Sequence, residues 1–236
     1  MKWAALYQYP WAVLREIPEI WKTRGRALAI FFFVWEALWL FWHRFDSSAT
    51  EWAHVHSDPH WLSVAARTSY WGELHRAPLI VLVAIALYGF WKHTPRLGWA
   101  ALAGALSGAA GGILVNIIKV IVGRPRPSTH LVDGIYWFQL GWDHQSFPSG
   151  HATHCAAIAT AVSVLAPRPA IALWAGALFV MWSRWYSERH YVSDLWGGAG
   201  LGVTIGLIIG WSARLAWQAW HANKTAPVNP NDAVTC

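Results

Sequence analysis

Long apolar stretches separated by short polar connections dominate the sequence. Crossing a bilayer core of about 30 Å takes about 20 helical residues, and six stretches approach that length. They cover residues 27–42, 77–91, 97–122, 152–166, 170–182 and 195–211. The shorter stretches depend on flanking Trp, Tyr and His side chains to reach the membrane interface. This repetition predicts an all-α fold in which residues 27–220 form a bundle of six transmembrane helices.

The two ends of the chain follow other patterns. Near the N-terminus, apolar residues such as Trp11 and Ile17 alternate with charged ones such as Arg15, which indicates an amphipathic helix lying in the interface. We therefore expect residues 1–26 to form a cytoplasmic interfacial segment. Residues 221–236 contain no long apolar run and are expected to form a disordered cytoplasmic tail.

The composition argues against a water-soluble bundle. Hydrophobic residues make up 56% of the chain and charged residues 13%, whereas soluble domains usually carry about 25% charged residues. The helices of a soluble bundle would each need a polar face, and residues 77–91 offer almost none. The two cysteines, Cys155 and Cys236, show no pairing motif.

The net charge of +6 predicts membrane lipids as partners. The Lys and Arg residues are scattered between apolar stretches and form no basic arm, so we expect no nucleic acid partner. When the cations of the candidate site below are set aside, Lys and Arg are more frequent in the segments on the side of the N-terminus. This bias predicts that both termini are cytoplasmic.

Two of the stretches carry glycines at four-residue spacing. These are Gly104, Gly108 and Gly112 in the third stretch, and Gly198, Gly202, Gly206 and Gly210 in the sixth. Such faces let helices pack closely. We expect the face of the third stretch to continue through Asn116 towards Lys119.

Polar residues gather at the end of the third stretch, the start of the fourth, the end of the fifth and the start of the sixth. Six spans would place these four points on one membrane face. The residues form three clusters: Lys119, Arg126 and Pro127; Pro148, Ser149, Gly150 and His151; and Ser183, Arg184, His190 and Asp194.

The first property these clusters share is an affinity for anions. Lys119, Arg126 and Arg184 specify an anion, since an arginine fork matches two phosphate oxygens and a lysine supplies a mobile point charge. The turn before the fourth helix exposes backbone amides at a helix N-terminus, and Ser149 adds a hydroxyl. A phosphate fits this environment.

Two histidines supply the remaining chemistry. Phosphoryl transfer needs one group that attacks phosphorus and another that protonates the departing oxygen, and His151 and His190 are available for these tasks. Asp194 follows His190 by four residues, close enough to hold its other ring nitrogen. Each cluster alone also fits an ordinary capped helix, a proline stop or a polar pair. Their combination on one face favours a phosphate site.

Together the three clusters resemble the signatures of the type 2 phosphatidic acid phosphatase (PAP2) superfamily, a group of membrane lipid phosphatases related to the soluble vanadium haloperoxidases. The matching segments are residues 119–127, 148–151 and 183–194, and the resemblance covers about half the chain. The haloperoxidases are soluble and would not need this apolar belt. The resemblance implies a six-helix core and activity without a metal or other cofactor.

The resemblance also implies a role for each matching residue. His190 is the nucleophile that forms a phosphohistidine, Asp194 orients it, and His151 is the general acid for the leaving group. The residues implied to bind the phosphate are Lys119, Arg126, Ser149, Gly150 and Arg184.

Neighbouring residues allow more than one interpretation. Arg124, Glu188 and Arg189 adjoin the clusters, where they either tune the choice of headgroup or belong to a solvated loop. His154 lies one helical turn after His151, as a partner of the site or a packed polar residue. Glu36 is an ionisable residue inside the first stretch, which suggests a function.

A histidine-rich segment lies in the first extracytoplasmic connection. Its polar residues are His54, His56, Asp58 and His60. Their spacing matches no established zinc pattern, so we expect a solvated or headgroup-facing loop and no metal site.

We therefore expect an integral membrane phosphatase of the bacterial inner membrane, with its active site on the periplasmic or exterior face. Candidate substrates are undecaprenyl pyrophosphate, phosphatidylglycerol phosphate, phosphatidic acid and lipid A phosphate, and analogy with the bacterial branch of the family favours the polyprenyl pyrophosphate. A transporter or flippase for anionic lipids could use the same cations without chemistry. A phosphotransferase that passes the phosphoryl group to another lipid would share the first half-reaction.

Overall fold

The computed structural model describes residues 8–225, and every regular element within them is helical, as predicted. The α-helices are α1 (Gln8–Ala37), α2 (Trp39–His43), α3 (Asp46–Val55), α4 (Pro59–Trp71), α5 (Ala77–Trp91), α6 (Pro95–Val122), α7 (Gly150–Leu165), α8 (Pro167–Tyr186) and α9 (Val192–Thr225). Two short 3₁₀ turns, Pro127–Thr129 and Trp142–His144, lie in the connection between α6 and α7.

The apolar stretches all lie on helices. Three helical segments are long and apolar enough to cross a membrane: Tyr9–His43, Pro95–Val122 and Val192–Lys224. Ala77–Trp91 and Gly150–Leu165 are shorter apolar helices. The chain therefore has the helices of a membrane protein, and the number of six spans stays a prediction.

The boundary predicted at residue 27 does not interrupt the helix, and the interfacial position of the segment before it stays a prediction. α1 runs without a break from Gln8 to Ala37. Its residues Val13, Ile20 and Leu28 are all buried, and their spacing of seven and eight residues places them on one helix face. A single apolar stripe therefore joins the amphipathic segment to the first apolar stretch, and α1 packs along α9. Residues 1–7 lie outside the described range.

The predicted tail is partly helical. α9 continues past Trp220 to Thr225, so the prediction that disorder begins at residue 221 is wrong. Residues 226–236 lie outside the described range.

α7 lies at the centre of the bundle, packed against α6, α8 and α9, and most of its residues are buried. Glycines allow the backbone of α9 to approach it. A Cβ placed on Gly198 would lie 2.6 Å from the carbonyl oxygen of Ser149, and one on Gly206 would lie 2.6 Å from that of Ala157. The predicted packing face on the sixth stretch is confirmed.

The packing face of α6 differs from the prediction. Gly104 and Gly108 lie against neighbouring helices, but a Cβ on Gly112 would meet only Leu74, at 4.0 Å, and Asn116 is exposed. Positions four apart drift by about 40° per step around a helix of 3.6 residues per turn, so the glycine row leaves the interface. The buried positions near the end of α6 are Gly108, Gly111, Val115 and Lys119.

The histidine-rich segment is exposed, as predicted, and spans the turn between α3 and α4, but His54 and His60 lie on the helices that flank this turn. α3 and α4 meet at a turn in which the Asp58 side chain accepts hydrogen bonds from the backbone amides of His60 (2.9 Å) and Trp61 (3.2 Å). An Asp before a proline at the first helical position is a recognised N-cap signal. α4 packs against α8, which brings it beside the third polar cluster.

Candidate active site

The three polar clusters come together at one end of the bundle. The end of α6, the start of α7, the end of α8 and the start of α9 meet there, as the sequence predicted. The backbone amide of Ser149 donates to the carbonyl oxygen of Asp194 at 3.0 Å, which joins the start of α7 to the start of α9.

His190 is buried in the turn between α8 and α9, with 2% of its surface exposed. Its Nδ1 lies 2.8 Å from the carbonyl oxygen of Ser146. Because a carbonyl can only accept, this bond places the ring proton on Nδ1 of the neutral imidazole. Nε2 then keeps its lone pair, as a nucleophile requires.

Asp194 is completely buried beside His190, but its contact differs from the expected one. Its Oδ2 lies 3.8 Å from His190 Nδ1, which is longer than a hydrogen bond. Its carboxylate accepts instead from Arg124 Nη1 (2.6 Å), Ser146 Oγ (2.5 Å) and the Tyr191 amide (2.9 Å). Ser146 therefore holds the ring directly, while Asp194 supplies negative charge next to it.

Burial keeps His190 uncharged. Removal from water lowers the pKa of its imidazole to about 3, and the cations Arg184, Lys119 and Arg126 act in the same direction, while Asp194 opposes them. At neutral pH the ring is therefore neutral, which is the form that can attack phosphorus.

Two of the predicted cations lie near α7. Lys119 lies close to its first residue, and Arg126 lies against the connection that precedes it. Lys119 is buried at the end of α6, and a Cβ on Gly150 would lie 3.8 Å from its Nζ. Arg126 donates from Nε to the Trp142 carbonyl (3.0 Å) and from Nη1 to the Arg189 carbonyl (3.2 Å). Burial and the nearby Arg189 lower the pKa of Arg126 to about 10, so it stays charged at neutral pH.

Two buried polar groups at the site have no hydrogen-bond partner within residues 8–225. They are Ser149 Oγ and Arg184 Nε. Buried groups of this kind are rare, because each one lost its hydrogen bonds to water. An anion bound among the cations would supply the missing acceptors.

His151, at the start of α7, is held by α4. Its Nε2 lies 3.1 Å from the Ser69 carbonyl oxygen, and the ring interacts electrostatically with His190 and Arg184. The Ser69 hydroxyl accepts a hydrogen bond from Arg184 Nη1. Ser69 was not predicted as a site residue, since no sequence pattern marks it.

The ring of His154 lies beside that of His151, with the ring centroids 5.3 Å apart. Its Nε2 lies 2.8 Å from the Gly72 carbonyl oxygen, and the residue is buried. His154 therefore joins α7 to the end of α4 and also adjoins His151, and its role as a partner of the site stays a prediction.

Burial contradicts the interpretation of Arg124 as part of a solvated loop, while its effect on headgroup choice stays a prediction. Arg124 is 2% exposed, and its guanidinium contacts the carboxylates of Asp46 (2.8 Å), Asp133 (2.7 Å) and Asp194 (2.6 Å). Burial opposes its charge, but the three carboxylates outweigh burial and raise the pKa of Arg124 above its usual value. Its donors are directed to protein groups, among them the carboxylate of Asp194.

Asp46, on α3, extends this network to the start of α9. Its carboxylate is buried and accepts from the Ser193 amide at 2.9 Å and from Arg124. Ligand atoms of His43, Asp46 and Asp133 lie within 4.8 Å of one another, a spacing that could suit a metal. The Arg124 guanidinium already contacts both of these carboxylates, so a cation is present without a metal.

Glu188 and Arg189 lie at the edge of the site. Glu188 Oε1 is 3.1 Å from Nδ1 of the exposed His54 on α3, which links the histidine-rich segment to this edge. The guanidinium of Arg189 lies 5.2 Å from the ring centre of Trp142. Their effect on headgroup choice stays a prediction.

Glu36 lies on α1 and lines a cavity together with Arg124 and Phe147. A Cβ on Gly197 of α9 would lie 3.3 Å from its Oε2. Its Oε1 is buried and has no hydrogen-bond partner within residues 8–225. A function for Glu36 stays a prediction.

Residues 98–220, more than half of the chain, match the sequence profile of the PAP2 superfamily. The chain therefore belongs to the PAP2 superfamily, as the three clusters indicated. The matched region contains every residue assigned to catalysis or phosphate binding.

Curated relatives match part of the chain. It is 34% identical over 100 residues to a lipid A 1-phosphatase of Rhizobium johnstonii, which is 41% of each protein. It is 28% identical over 145 residues to a lipid A 1-phosphatase of Porphyromonas gingivalis, covering 60% of this chain and 30% of the relative. The matches thus span less than half the length of these relatives.

Two solved structures share the fold. The PAP2-type phosphatidylglycerolphosphate phosphatase from Bacillus subtilis aligns with a TM-score of 0.57 at 21% identity, covering 86% of this chain and 98% of the other. Aquifex aeolicus LpxE aligns with a TM-score of 0.51 at 22% identity, covering 70% and 93%. At these identities the likeness concerns the fold.

Proposed function

We propose that this chain is a membrane phosphatase that hydrolyses a lipid phosphate or pyrophosphate through a phosphohistidine intermediate. The observation that carries the proposal is the neutral, buried His190 next to three cations and two unpartnered polar groups. A nucleophile that is uncharged while its surroundings are positive suits an anionic substrate.

In the first step, Nε2 of His190 attacks phosphorus while the bond to the leaving oxygen breaks. Lys119, Arg126 and Arg184 balance the charge on the phosphoryl oxygens. His151 donates a proton to the leaving oxygen. The Ser146 carbonyl keeps the Nδ1 proton in place, and Asp194 stabilises the positive charge that develops on the ring.

In the second step, water replaces the leaving group. His151, now without its proton, takes one from the water, and the resulting hydroxide attacks phosphorus. The bond between phosphorus and Nε2 breaks, phosphate leaves, and His190 returns to its neutral form. These residues balance the charge of both steps, so we propose that no metal is required.

We further propose six spans, cytoplasmic termini and an active site at the periplasmic or exterior face of the bacterial inner membrane. The excess of Lys and Arg on the side of the N-terminus supports this orientation. The length of α6 supports a site at one interface, because its last turn carries Lys119.

The relatives' names suggest which substrates to test first. Two relatives are lipid A 1-phosphatases, and one similar fold is a phosphatidylglycerolphosphate phosphatase. The substrate panel consists of the four candidate lipids. Lipid A 1-phosphate and phosphatidylglycerol phosphate are tested first, followed by undecaprenyl pyrophosphate and phosphatidic acid.

The test is phosphate release from this panel by the full chain purified in detergent. We expect release with at least one lipid, and a loss of ~10⁴-fold or more in His190→Ala. His60→Ala, on exposed α4 surface, is the matched control and should keep full activity.

EDTA should leave the rate of phosphate release unchanged. Loss of activity that a divalent ion restores would contradict the proposed chemistry. Analysis of the lipid products separates hydrolysis from transfer, and lipid movement without phosphate release would favour the transporter.

A further inference from the structure

A groove lies at the end of the bundle opposite the candidate active site. α6 has Gly98 at this groove and Lys119 at the site, and this length of helix is roughly 30 Å at about 1.5 Å per residue. A bilayer core is about as thick. The groove therefore opens at the other membrane interface, far from the residues assigned to hydrolysis.

The groove consists of two adjoining cavities of about 450 and 470 Å³ that share residues 93–95, Trp220 and Lys224. The first is mainly apolar and is lined by Phe90 of α5 and Leu102 of α6, among others. The second also includes Arg96 and Trp217. An apolar cavity thus adjoins a cavity that carries cations.

Gly98 keeps the apolar cavity open. A Cβ added to Gly98 would meet no atom within 4 Å, whereas one added to Gly89, across the groove on α5, would lie 2.7 Å from Leu97 Cβ. Gly89 therefore serves close packing, and Gly98 faces free space. The rings of Tyr9 and Trp99, with centroids 4.8 Å apart, form a rigid wall beside it.

The cations of the second cavity face aromatic rings. Lys224 Nζ lies 5.1 Å from the ring centre of Trp220, and the Arg96 guanidinium carbon lies 5.2 Å from that of Trp217. Arg96 Nε is buried and has no hydrogen-bond partner within residues 8–225. The described lining of both cavities contains no Asp or Glu, so no carboxylate of the groove neutralises these two cations.

We infer that this groove binds an anionic phospholipid of the membrane. The lipid phosphate lies against Arg96 and Lys224, and one acyl chain lies along the apolar cavity beside Gly98. Anionic headgroups are attracted by Lys and Arg next to the membrane, and Trp residues at this depth are typical of the interface. The inference is independent of the proposed hydrolysis, because the groove shares no residue with the active site.

Native mass spectrometry of the full chain in detergent tests the inference, with added phosphatidylglycerol or phosphatidylcholine. We expect the wild-type protein to retain phosphatidylglycerol preferentially. Arg96→Gln and Lys224→Gln should each weaken this retention roughly fivefold. Gly98→Phe should displace the acyl chain and lower retention of phosphatidylglycerol while the cations remain.

Matched controls locate the effect. Arg168→Gln removes an exposed cation at the start of α8, at the same end of the bundle but outside the groove, and should retain the lipid. His190→Ala should also retain it, which separates the groove from the active site. Equal retention of the two lipids by the wild-type protein would overturn the inference. The inference would also be overturned if Gly98→Phe and Lys224→Gln both retained phosphatidylglycerol as well as the wild-type protein does. Wild-type melting temperatures would show that both variants are folded.

Discussion

Two regions of the chain contribute to the candidate site in different ways. Residues 119–194, from the end of α6 to the start of α9, provide the histidines and cations that would meet the phosphate. Residues 46–69, on α3 and α4, provide Asp46 and Ser69, which contact those groups. The proposed reacting groups therefore lie at or next to the ends of long helices. The residues that contact and orient them lie on two short helices.

The second region acts through few contacts. Asp46 binds the Ser193 amide and Arg124, and Arg124 in turn holds Asp194. Ser69 accepts from Arg184 through its hydroxyl and contacts His151 through its carbonyl. Substitutions in the two regions should therefore differ in size and in the kinetic constant that they change.

Among substitutions that keep the nucleophile, the largest effect should follow from His151→Asn in the first region. Loss of a general acid and base lowers kcat by roughly 10²–10⁴-fold. A substrate with an activated leaving group, such as p-nitrophenyl phosphate, needs no proton in the first step, so it should still phosphorylate the variant, detected as a burst of p-nitrophenol. The comparison with His154→Asn separates the acid from its packed neighbour, and equal kcat losses in both would contradict the assigned role.

A smaller effect should follow from Asp46→Asn in the second region. The amide leaves Arg124 with one carboxylate fewer, so Asp194 is held less firmly. We expect kcat to fall roughly tenfold with little change in KM, because Asp46 does not face the phosphate, and the melting temperature to fall, because a buried pair is broken. Glu51→Gln, an exposed position on the same helix, should change neither. A KM effect alone would contradict the positioning role.

Ser69→Ala should act mainly on substrate binding. The hydroxyl that holds Arg184 is lost, and hydrogen bonds to charged groups are worth about 1.5–3 kcal/mol. Part of that is recovered when Arg184 binds phosphate, so we expect KM to rise roughly tenfold and kcat to change less. Ser63→Ala, exposed on the same helix, is the control, and unchanged KM in Ser69→Ala would show that Arg184 needs no support from α4.

The last prediction concerns the pH dependence of stability, which reports the protonation of His190 without any substrate. His190 in the folded protein has its pKa lowered to about 3 from 6.5, so between these values the unfolded chain binds the proton more readily. The contribution of the neutral His190 to the free energy of unfolding is therefore complete above pH 6.5. It is lost as the pH falls towards 3. Melting temperatures should therefore fall less steeply in His190→Asn than in the wild-type protein over this range. A parallel decline in both proteins would contradict the neutral state assigned to His190.

The sequence predicted the first region because its residues occur in compact clusters at helix ends. Pro148 to His151 and Ser183 to Asp194 each carry several polar groups within or next to apolar helices, where such groups are costly. The sequence could not predict Asp46 or Ser69, because their partners lie far along the chain, as with Asp46 and Ser193. Nor could it show that the Ser146 carbonyl is the direct partner of the His190 ring. The four-residue spacing between His190 and Asp194 had suggested a direct hydrogen bond between these two residues.

The packing of α6 shows the same limit. A four-residue glycine repeat indicates a smooth face, but only the neighbouring helices determine where that face ends. Leu82 and Leu74 cover Gly104 and Gly108, and the buried row then continues through Val115 to Lys119. Arg124 is the clearest case, because a cation beside a phosphate motif suggests a ligand contact until three carboxylates are seen around it.

Trapping the phosphorylated enzyme tests the central claim most directly. The full chain would be incubated with a ³²P-labelled lipid phosphate, quenched in alkali and mapped by peptide analysis. We predict an acid-labile label on His190 that is absent in His190→Ala and present in the His60→Ala control. Phosphate release that continues with the label on another residue, or release by His190→Ala at the wild-type rate, would contradict the account.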